Sequence, residues 1–434
     1  MLIKFSVENW QSFREEATLS MLASKERQHR ERVAKIGKGK LNLLPIAAIY
    51  GGNASGKTKL FNALGFAKNF VIKVTQPDSS IQREYFRLDK ECALKPTKFC
   101  FQLLIEDICY EFSFSVTDRE VVDEKLTIIS SYSEKILYLR KGNEISFPDD
   151  TKLKEDKRLQ FVAEGTRENQ LFLTTSTDQK IKNFSPIYDW FKHSLVLISP
   201  NSPFLGLGQL IQENNPLNSS VHDALSQLDT GITRLGGIDI APENIQMPIE
   251  VKAKLLEDLS DDGSVTIGRN IILSKKNGTL VAQRLVAYHQ TIDGNEIGFE
   301  PHHESEGTLR MIELLPGFLN LNKHDNSKVY VVDELDRCLH SIMTRTLIEK
   351  YLQSCSPTIR SQLLFTTHDI LLMGQDILRR DEIWVTERDK QGGSHLISLG
   401  EYKDIRYDKD IRKSYLKGSF GGIPKILSFI SHKN

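Results

Sequence analysis

The sequence has no surplus of either charge: 57 Lys and Arg residues stand against 57 Asp and Glu residues in 434. Net charge therefore gives no argument for nucleic acid, and only a local basic patch could supply one. No apolar run reaches the ~18 residues of a membrane span. The start, Met1-Leu2-Ile3-Lys4-Phe5, reads as a strand and not as a signal peptide. The five cysteines (Cys92, Cys100, Cys109, Cys338 and Cys355) form no CxxC pair and no metal-ligand spacing. That argues against a zinc module and for reduced thiols in a cytoplasmic protein. Internal repeats and long heptad runs are missing too, so no long coiled-coil arm is expected. At roughly 100–200 residues per domain, the length allows two or three domains, or one large head with an insertion.

What is present centres on Gly51-Gly52-Asn53-Ala54-Ser55-Gly56-Lys57-Thr58. The apolar run Leu44-Pro45-Ile46-Ala47-Ala48-Ile49-Tyr50 leads into it, and Leu60, Leu64 and Ala67 follow at helical spacing. Strand, glycine loop and helix are the context of a P-loop. The loop amides and the helix N-terminus face the phosphates, Lys57 reaches them, and the Thr58 hydroxyl can ligate magnesium.

Further along, Val329-Tyr330-Val331-Val332-Asp333-Glu334 is an apolar strand ending in two acids. Asp333 is placed to sit beside the magnesium, and Glu334 to polarise a water against the γ-phosphate. Gln362-Leu363-Leu364-Phe365-Thr366-Thr367-His368 reads as the adjacent parallel strand, with His368 at the carboxyl end where ligands bind. Ser305 caps a helix whose first turn holds Gly307 and Thr308, a geometry suited to anions.

The rest is coarser. Phe99, Phe101 and Leu103 alternate, as do Tyr110, Phe112 and Phe114, which predicts an antiparallel β subdomain after the P-loop helix. Val221, Leu225, Leu228, Ile232 and Leu235 form a 4-3-4-3 stripe that predicts one helix ending at Gly236-Gly237. Residues 270–273 and 279–288 read as paired strands around Asn277-Gly278. The basic run through Lys25, Arg27, Arg30, Arg32, Lys35, Lys38 and Lys40 reads as a solvated segment, with a phosphate-binding patch as the alternative.

Taken together these stretches resemble the ATP-binding-cassette ATPases of the SMC, RecF and OLD group. Residues 51–58 resemble their Walker A, and residues 329–334 their Walker B with its catalytic glutamate. Leu335-Asp336 resembles the D-loop, and His368 the switch histidine. Ser305-Glu306-Gly307-Thr308 is similar to the signature motif in a shortened form. Asn9-Trp10-Gln11-Ser12-Phe13 is similar to the N-terminal arm near the nucleotide base. Within the group the likeness is to compact abortive-infection ATPases of bacteria, with Septu-type and retron-associated ATPases nearby. Asp333-Glu334-Leu335-Asp336-Arg337-Cys338-Leu339-His340 and Tyr415-Leu416-Lys417-Gly418-Ser419-Phe420-Gly421-Gly422 carry that part of it.

The resemblance implies an α/β fold: an ABC-type P-loop NTPase head, with a mixed sheet, helices and an antiparallel β subdomain, and a mainly helical insertion. The head would occupy residues 1–145 and 281–434, and the insertion residues 146–280. It implies ATP and Mg2+ as ligands. Gly51, Asn53, Ala54, Ser55, Gly56, Lys57, Thr58, Ser12, Ser305, Gly307 and Asp336 would surround the nucleotide, and Thr58 and Asp333 would hold the metal. Lys57, Glu334 and His368 would act in catalysis. It further implies a head-to-tail homodimer that shares two nucleotides and controls a separately encoded nuclease or toxic effector. A RecF-like DNA-binding ATPase of repair is the alternative, with nucleic acid as its partner, and a scaffold that barely turns over is a third reading.

Two departures bear on this. Gln76 and Gln82 are the candidates for a Q-loop glutamine. Glu387 with Asp408 and Asp410 mimics the acidic set of a TOPRIM nuclease, but too little chain follows for a domain of ~100 residues. Asp149-Asp150 and Asp258 with Asp261-Asp262 read as solvated turns.

Overall fold

The computed structural model describes residues 1–37, 41–130, 133–148, 153–200, 216–228, 230–245, 247–259, 264–267, 271–321, 323, 326–402 and 410–423. The chain separates into two compact units: residues 1–197, 324–335 and 352–434 form the first, and 198–323 with 336–351 the second.

The first unit contains two large sheets. One is antiparallel and seven-stranded, in the order Glu144–Ser146, Glu134–Lys141, Val121–Ile129, Ile108–Val116, Thr97–Ile105, Leu2–Glu8 and Ala17–Ser20. The alternating aromatics face inward as expected: Phe99, Phe101, Phe112 and Phe114 are all buried. The helix that follows the P-loop, Lys57–Ile72, lies on this face. Its Phe66 ring sits 5.0 Å from Trp10 and 5.3 Å from Phe99, which in turn sits 5.0 Å from Phe114. Offset and tilted rings at these spacings favour one another beyond the area they bury. The antiparallel sheet is thus the platform that seats the P-loop helix.

The second sheet has six strands, in the order Leu195–Ile198, Val329–Val332, Gln362–Thr366, Ile46–Gly51, Ile383–Arg388 and Ser394–Ser398. The four consecutive strands from Val329–Val332 to Ile383–Arg388 are parallel, and the last pair is antiparallel. The two inner strands are wholly buried, which explains their continuous apolar runs. The expected strand adjacency of Val329–Val332 and Gln362–Thr366 is found.

The segment expected as a mainly helical insertion divides. Lys157–Glu164, Phe172–Asp178 and Ser185–Asp189 are helices, the last running into a π turn at Trp190–Ser194, and all belong to the first unit. The second unit instead carries a five-stranded antiparallel sheet built from Ile232–Ile240, Thr279–Gln290, Ile271–Lys276, Ser264–Ile267 and Glu296–Phe299. The helix expected from Val221 to Leu235 ends at Gln227, and Gly236-Gly237 lie inside the strand Ile232–Ile240. Gly231, with φ 72°, stands between the two elements. A register shift between Ile232 and Arg234 explains the misreading. A bulge lets residues three apart share one face, so Ile232 and Leu235 are both buried at a spacing that mimics a helix.

The basic run is also not simply solvated. Arg32 is buried, donating to the Ile377 carbonyl at 2.8 Å and pairing with the buried Glu382. Lys38 and Lys40 lie outside the described residues.

One buried carboxylate joins the helices to the antiparallel sheet. Glu124 accepts from the Tyr138 hydroxyl at 2.7 Å and from the Phe172 and Leu173 amides at 2.7 and 2.9 Å, with Arg140 at 4.0 Å. It caps the helix Phe172–Asp178 from across the chain. Burial pushes the Glu124 carboxyl up, opposed by Arg140 and by the three hydrogen bonds. Removing a buried ion from such a set strands every partner. Glu124→Ala is therefore expected to cost roughly 3–5 kcal/mol, and Tyr138→Phe about 1–3 kcal/mol. Chemical denaturation of both variants checks this; equal small losses would remove Glu124 from its capping role.

Candidate nucleotide site

The register of the parallel strands decides what meets at their carboxyl ends. Thr366 pairs with Ile49, Thr386 with Gly51, and Val332 with Phe365. Gly51, Thr386, Thr366 and Asp333 therefore reach one edge of the sheet, where the P-loop leaves it.

The loop needs its glycines. Gly51 has φ 154° and Gly56 φ 119°. A Cβ on Gly51 would overlap the Thr386 and Ser55 hydroxyls, and one on Gly56 would lie 2.7 Å from Ser394 Oγ and 3.1 Å from Ser12 Oγ. Ala54, between them, is left-handed at φ 61°. Lys57 is buried, with Nζ donating to the Gly51 carbonyl at 2.8 Å and the Gly52 carbonyl at 3.2 Å. Asn53, Ala54 and Thr58 are exposed, Ser55 and Gly56 buried.

On the neighbouring strands, Thr366 Oγ1 donates to Asp333 Oδ1 at 2.6 Å and accepts from the Glu334 amide at 2.8 Å. Asp333 is 1% exposed, and Glu334 is left-handed at φ 49°. One hydroxyl thus sets both acids: it orients the Asp333 carboxylate and turns the backbone so that Glu334 faces the cavity.

That cavity, of about 600 Å³, is lined by residues 53–59, by Glu334 and His368, by Gln11 and Ser12 of the N-terminal arm, and by residues 84–88, Arg388 and Gly392. The arm is anchored to the loop helix, since Trp10 Nε1 donates to the Lys59 carbonyl at 3.0 Å. Asn9 ties it to the 84–97 segment, accepting from the Phe86 amide at 3.1 Å and donating to the Cys92 carbonyl at 2.8 Å. Gln11 Oε1 and Ser12 Oγ are buried without a hydrogen-bond partner. These are polar atoms of the kind that a nucleoside can satisfy.

The first unit thus gathers Ser12, residues 53–58, Asp333, Glu334 and His368, with Gly51 at the root of the loop. Ser305, Gly307 and Asp336 belong to the second unit and form a cluster there. Ser305 Oγ accepts from the Thr308 amide at 3.1 Å, the expected N-cap, and heads the helix Glu306–Leu321. A Cβ on Gly307 would lie 2.6 Å from the Cys338 carbonyl, and Cys338 Sγ donates to Glu306 at 3.2 Å. Asp336 accepts from the Leu339 amide at 3.1 Å through its carbonyl, closing the turn that carries Cys338.

Neither Gln76 nor Gln82 lines the cavity. Gln76 accepts from Asn169, and Gln82 reaches Ser80. Of the mimic acidic set, Asp410 caps the helix Ile411–Leu416 and Glu387 faces the Gly421 turn. Asp408, Asp149, Asp150, Asp261 and Asp262 lie outside the described residues. Among the described residues no group of three or more His, Cys, Asp or Glu could hold a metal ion, and no helix is long and apolar enough to cross a membrane. Sequence reasoning missed residues 84–88, Thr386, Arg388 and Ser394, which belong to no motif: the last three reach the site through strand pairing, and residues 84–88 through hydrogen bonds to Asn9 and Gln11 of the N-terminal arm.

A family model described as "AAA domain, putative AbiEii toxin, Type IV TA system" matches residues 46–374. The chain belongs to this family. The matched stretch, described as an AAA domain, holds the loop, both acids and His368. Solved structures similar to the chain include two SMC heads. One is an SMC head bound to the C-winged helix domain of ScpA, 12% identical, covering 92% of this chain and 97% of that one at a TM-score of 0.44. The other is the SMC head domain from Thermotoga maritima, 14% identical, covering 92% and 98% at a TM-score of 0.35. No curated protein matches the chain.

The loop geometry of this AAA domain can be tested without ligand. Gly51→Ala places a methyl on two hydroxyls, whereas Gly142→Ala, at φ 55° with open space around it, meets only backbone strain. The first is expected to cost well over 2 kcal/mol and the second about 1–2 kcal/mol, as unfolding curves would report.

Proposed function

We propose that the protein binds ATP with Mg2+ in this cavity and hydrolyses it to ADP and phosphate. The observation that carries the reading is the convergence of the glycine loop, buried Lys57, Asp333, Glu334 and His368 at the carboxyl edge of one parallel sheet. The donor set suits the metal. Mg2+ keeps several waters and takes one or two protein oxygens beside substrate phosphates, so the Thr58 hydroxyl and the Asp333 carboxylate suffice without a dedicated cage. Bound there, the metal would neutralise charge on the β- and γ-phosphates. Lys57 exchanges the neutral carbonyls of Gly51 and Gly52 for charged phosphate oxygens, a charge-assisted and stronger bond. Glu334 accepts a proton from the attacking water, and His368 donates to the γ-phosphate as charge moves onto it.

In this reading, Ser305 and Gly307 of one protomer complete the ATP site of a second copy. Ser305 Oγ heads a sixteen-residue helix, and such an N-terminus favours anions. The result is a nucleotide-gated dimer. The family's description as a putative toxin of a toxin–antitoxin system supports a role in bacterial anti-phage defence. There the dimer would hold or release a separately encoded nuclease or toxic effector.

Lys57→Ala is expected to weaken ATP binding by roughly 10–100-fold. Glu334→Gln keeps the affinity and lowers turnover by about 10²–10⁴-fold. Steady-state ATPase alongside equilibrium binding measures both, and normal turnover in Glu334→Gln would remove that residue from catalysis. Mixing Ser305→Arg with Lys57→Ala protein should restore activity, because each mixed dimer keeps one intact composite site. No recovery in demonstrated mixed dimers would refute the shared site.

A further inference from the structure

The threonine on the far side of the P-loop strand has no counterpart in the motifs, yet it is the residue most closely fitted to the loop. Thr386 is fully buried on the strand Ile383–Arg388, directly across from Gly51. Its Oγ1 donates to the Tyr50 carbonyl at 3.1 Å and lies 2.6 Å from Ser55 Oγ. A hydroxyl carries one proton. With that of Thr386 given to Tyr50, the Ser55 proton goes to Thr386, and both hydroxyls are fixed. Through Thr386 the middle of the loop is tied both to the neighbouring strand and to Tyr50, at the end of the strand that launches the loop. Gly51 is what allows the approach, since any side chain there would occupy the place of the threonine.

Thr386 is also held from behind. The turn after the helix Ile411–Leu416 brings Gly422 so close that a Cβ on it would lie 2.5 Å from Val385 Cγ1, 3.2 Å from the Thr386 carbonyl and 3.5 Å from Gly51 Cα. Gly421 is pressed in the same way on the Glu387 carboxylate. Tyr415 Oη locks the turn, donating to the Gly422 carbonyl at 3.0 Å. The threonine is thus clamped between the phosphate loop and a glycine turn more than thirty residues later in the chain.

We infer that Thr386 is a positioning residue for nucleotide binding, which holds the loop through Ser55 in the shape that aims its amides at phosphate. The inference rests on the ATP reading above. A loop already in its binding shape spends none of the interaction energy on ordering itself, so loss of the tether should appear in affinity. The acid Glu334 and His368 are set by other strands, so turnover at saturation should change little.

The test measures, for the full chain, the Kd of a non-hydrolysable ATP analogue together with KM, kcat and the melting temperature. Thr386→Val removes the hydroxyl at nearly constant shape and is expected to raise Kd and KM roughly tenfold, the worth of about one hydrogen bond, with kcat nearly unchanged. Thr386→Ser restores the hydroxyl and should return both to wild-type values. Ser55→Ala cuts the same bond from the loop side, so the double variant should bind no more weakly than Thr386→Val alone. Should Thr386→Val not fold, Ser55→Ala is expected by itself to raise Kd by a similar factor. Unchanged affinity in these variants, or a lowered melting temperature with no change in Kd, would overturn the positioning role. Wild-type protein that binds no analogue would instead overturn the ATP reading.

Discussion

The structure depends on the pairing of the strand Ile46–Gly51 with a parallel neighbour on each side. Each neighbour carries, at or near its carboxyl end, a threonine whose hydroxyl bonds beyond its own strand. Thr366 ties the end of the next strand over, through Asp333 and the Glu334 amide, while Thr386 ties the loop itself, through Ser55. Parallel strands point their carboxyl ends the same way, and so the chemistry collects on one edge. A shift of one residue in either pairing would flip the threonine to the other face and leave a buried acid or a buried hydroxyl without its partner. The register is therefore enforced by polar satisfaction at the edge as much as by the apolar core behind it.

The antiparallel sheet has a different task. It offers the P-loop helix a dry face of aromatic rings, with Phe66 and Phe70 of the helix stacked at 5.6 Å and Phe66 resting between Trp10 and Phe99. Trp10 belongs to the N-terminal arm, so the packing that seats the helix also seats Gln11 and Ser12 at the cavity. Fold stability and site geometry share one contact here, and neither can be altered alone. The same economy holds at Glu124, a single buried carboxylate that caps a helix and braces two strands.

How much of this was legible before folding follows from the range of the interactions. The P-loop, the Val329–Val332 strand with its two acids and the strand leading to His368 each carry a local pattern: an apolar run that ends in a polar group. Ser305 was legible as a cap for the same reason. Thr386 and Ser394 were not, because nothing within ten residues of either marks it. Their importance comes from pairing with residues more than 300 positions earlier. The strand Ile232–Ile240 was read as helix because a bulge counterfeits the helical spacing, and only Gly231 hinted at the break. Arg32 looked solvated within its basic run because its partner, Glu382, lies 350 residues away.

The position of Lys57 shows how such a site stays both stable and receptive. An ammonium buried without partners would be costly, and it would sooner lose its proton than stay charged. Here the loop supplies the partners from its own backbone, the carbonyls of Gly51 and Gly52, so the cation stays satisfied within the fold. Those acceptors are neutral, so in the ATP reading proposed above a charged phosphate oxygen would replace them with a stronger bond. Ala54 and Gly56 of the same loop are left-handed. Thr366, Thr386 and Asp333 are meanwhile bonded to one another or to the sheet. Within the loop Ser55 is tethered to Thr386, while its neighbours Asn53 and Ala54 stand exposed.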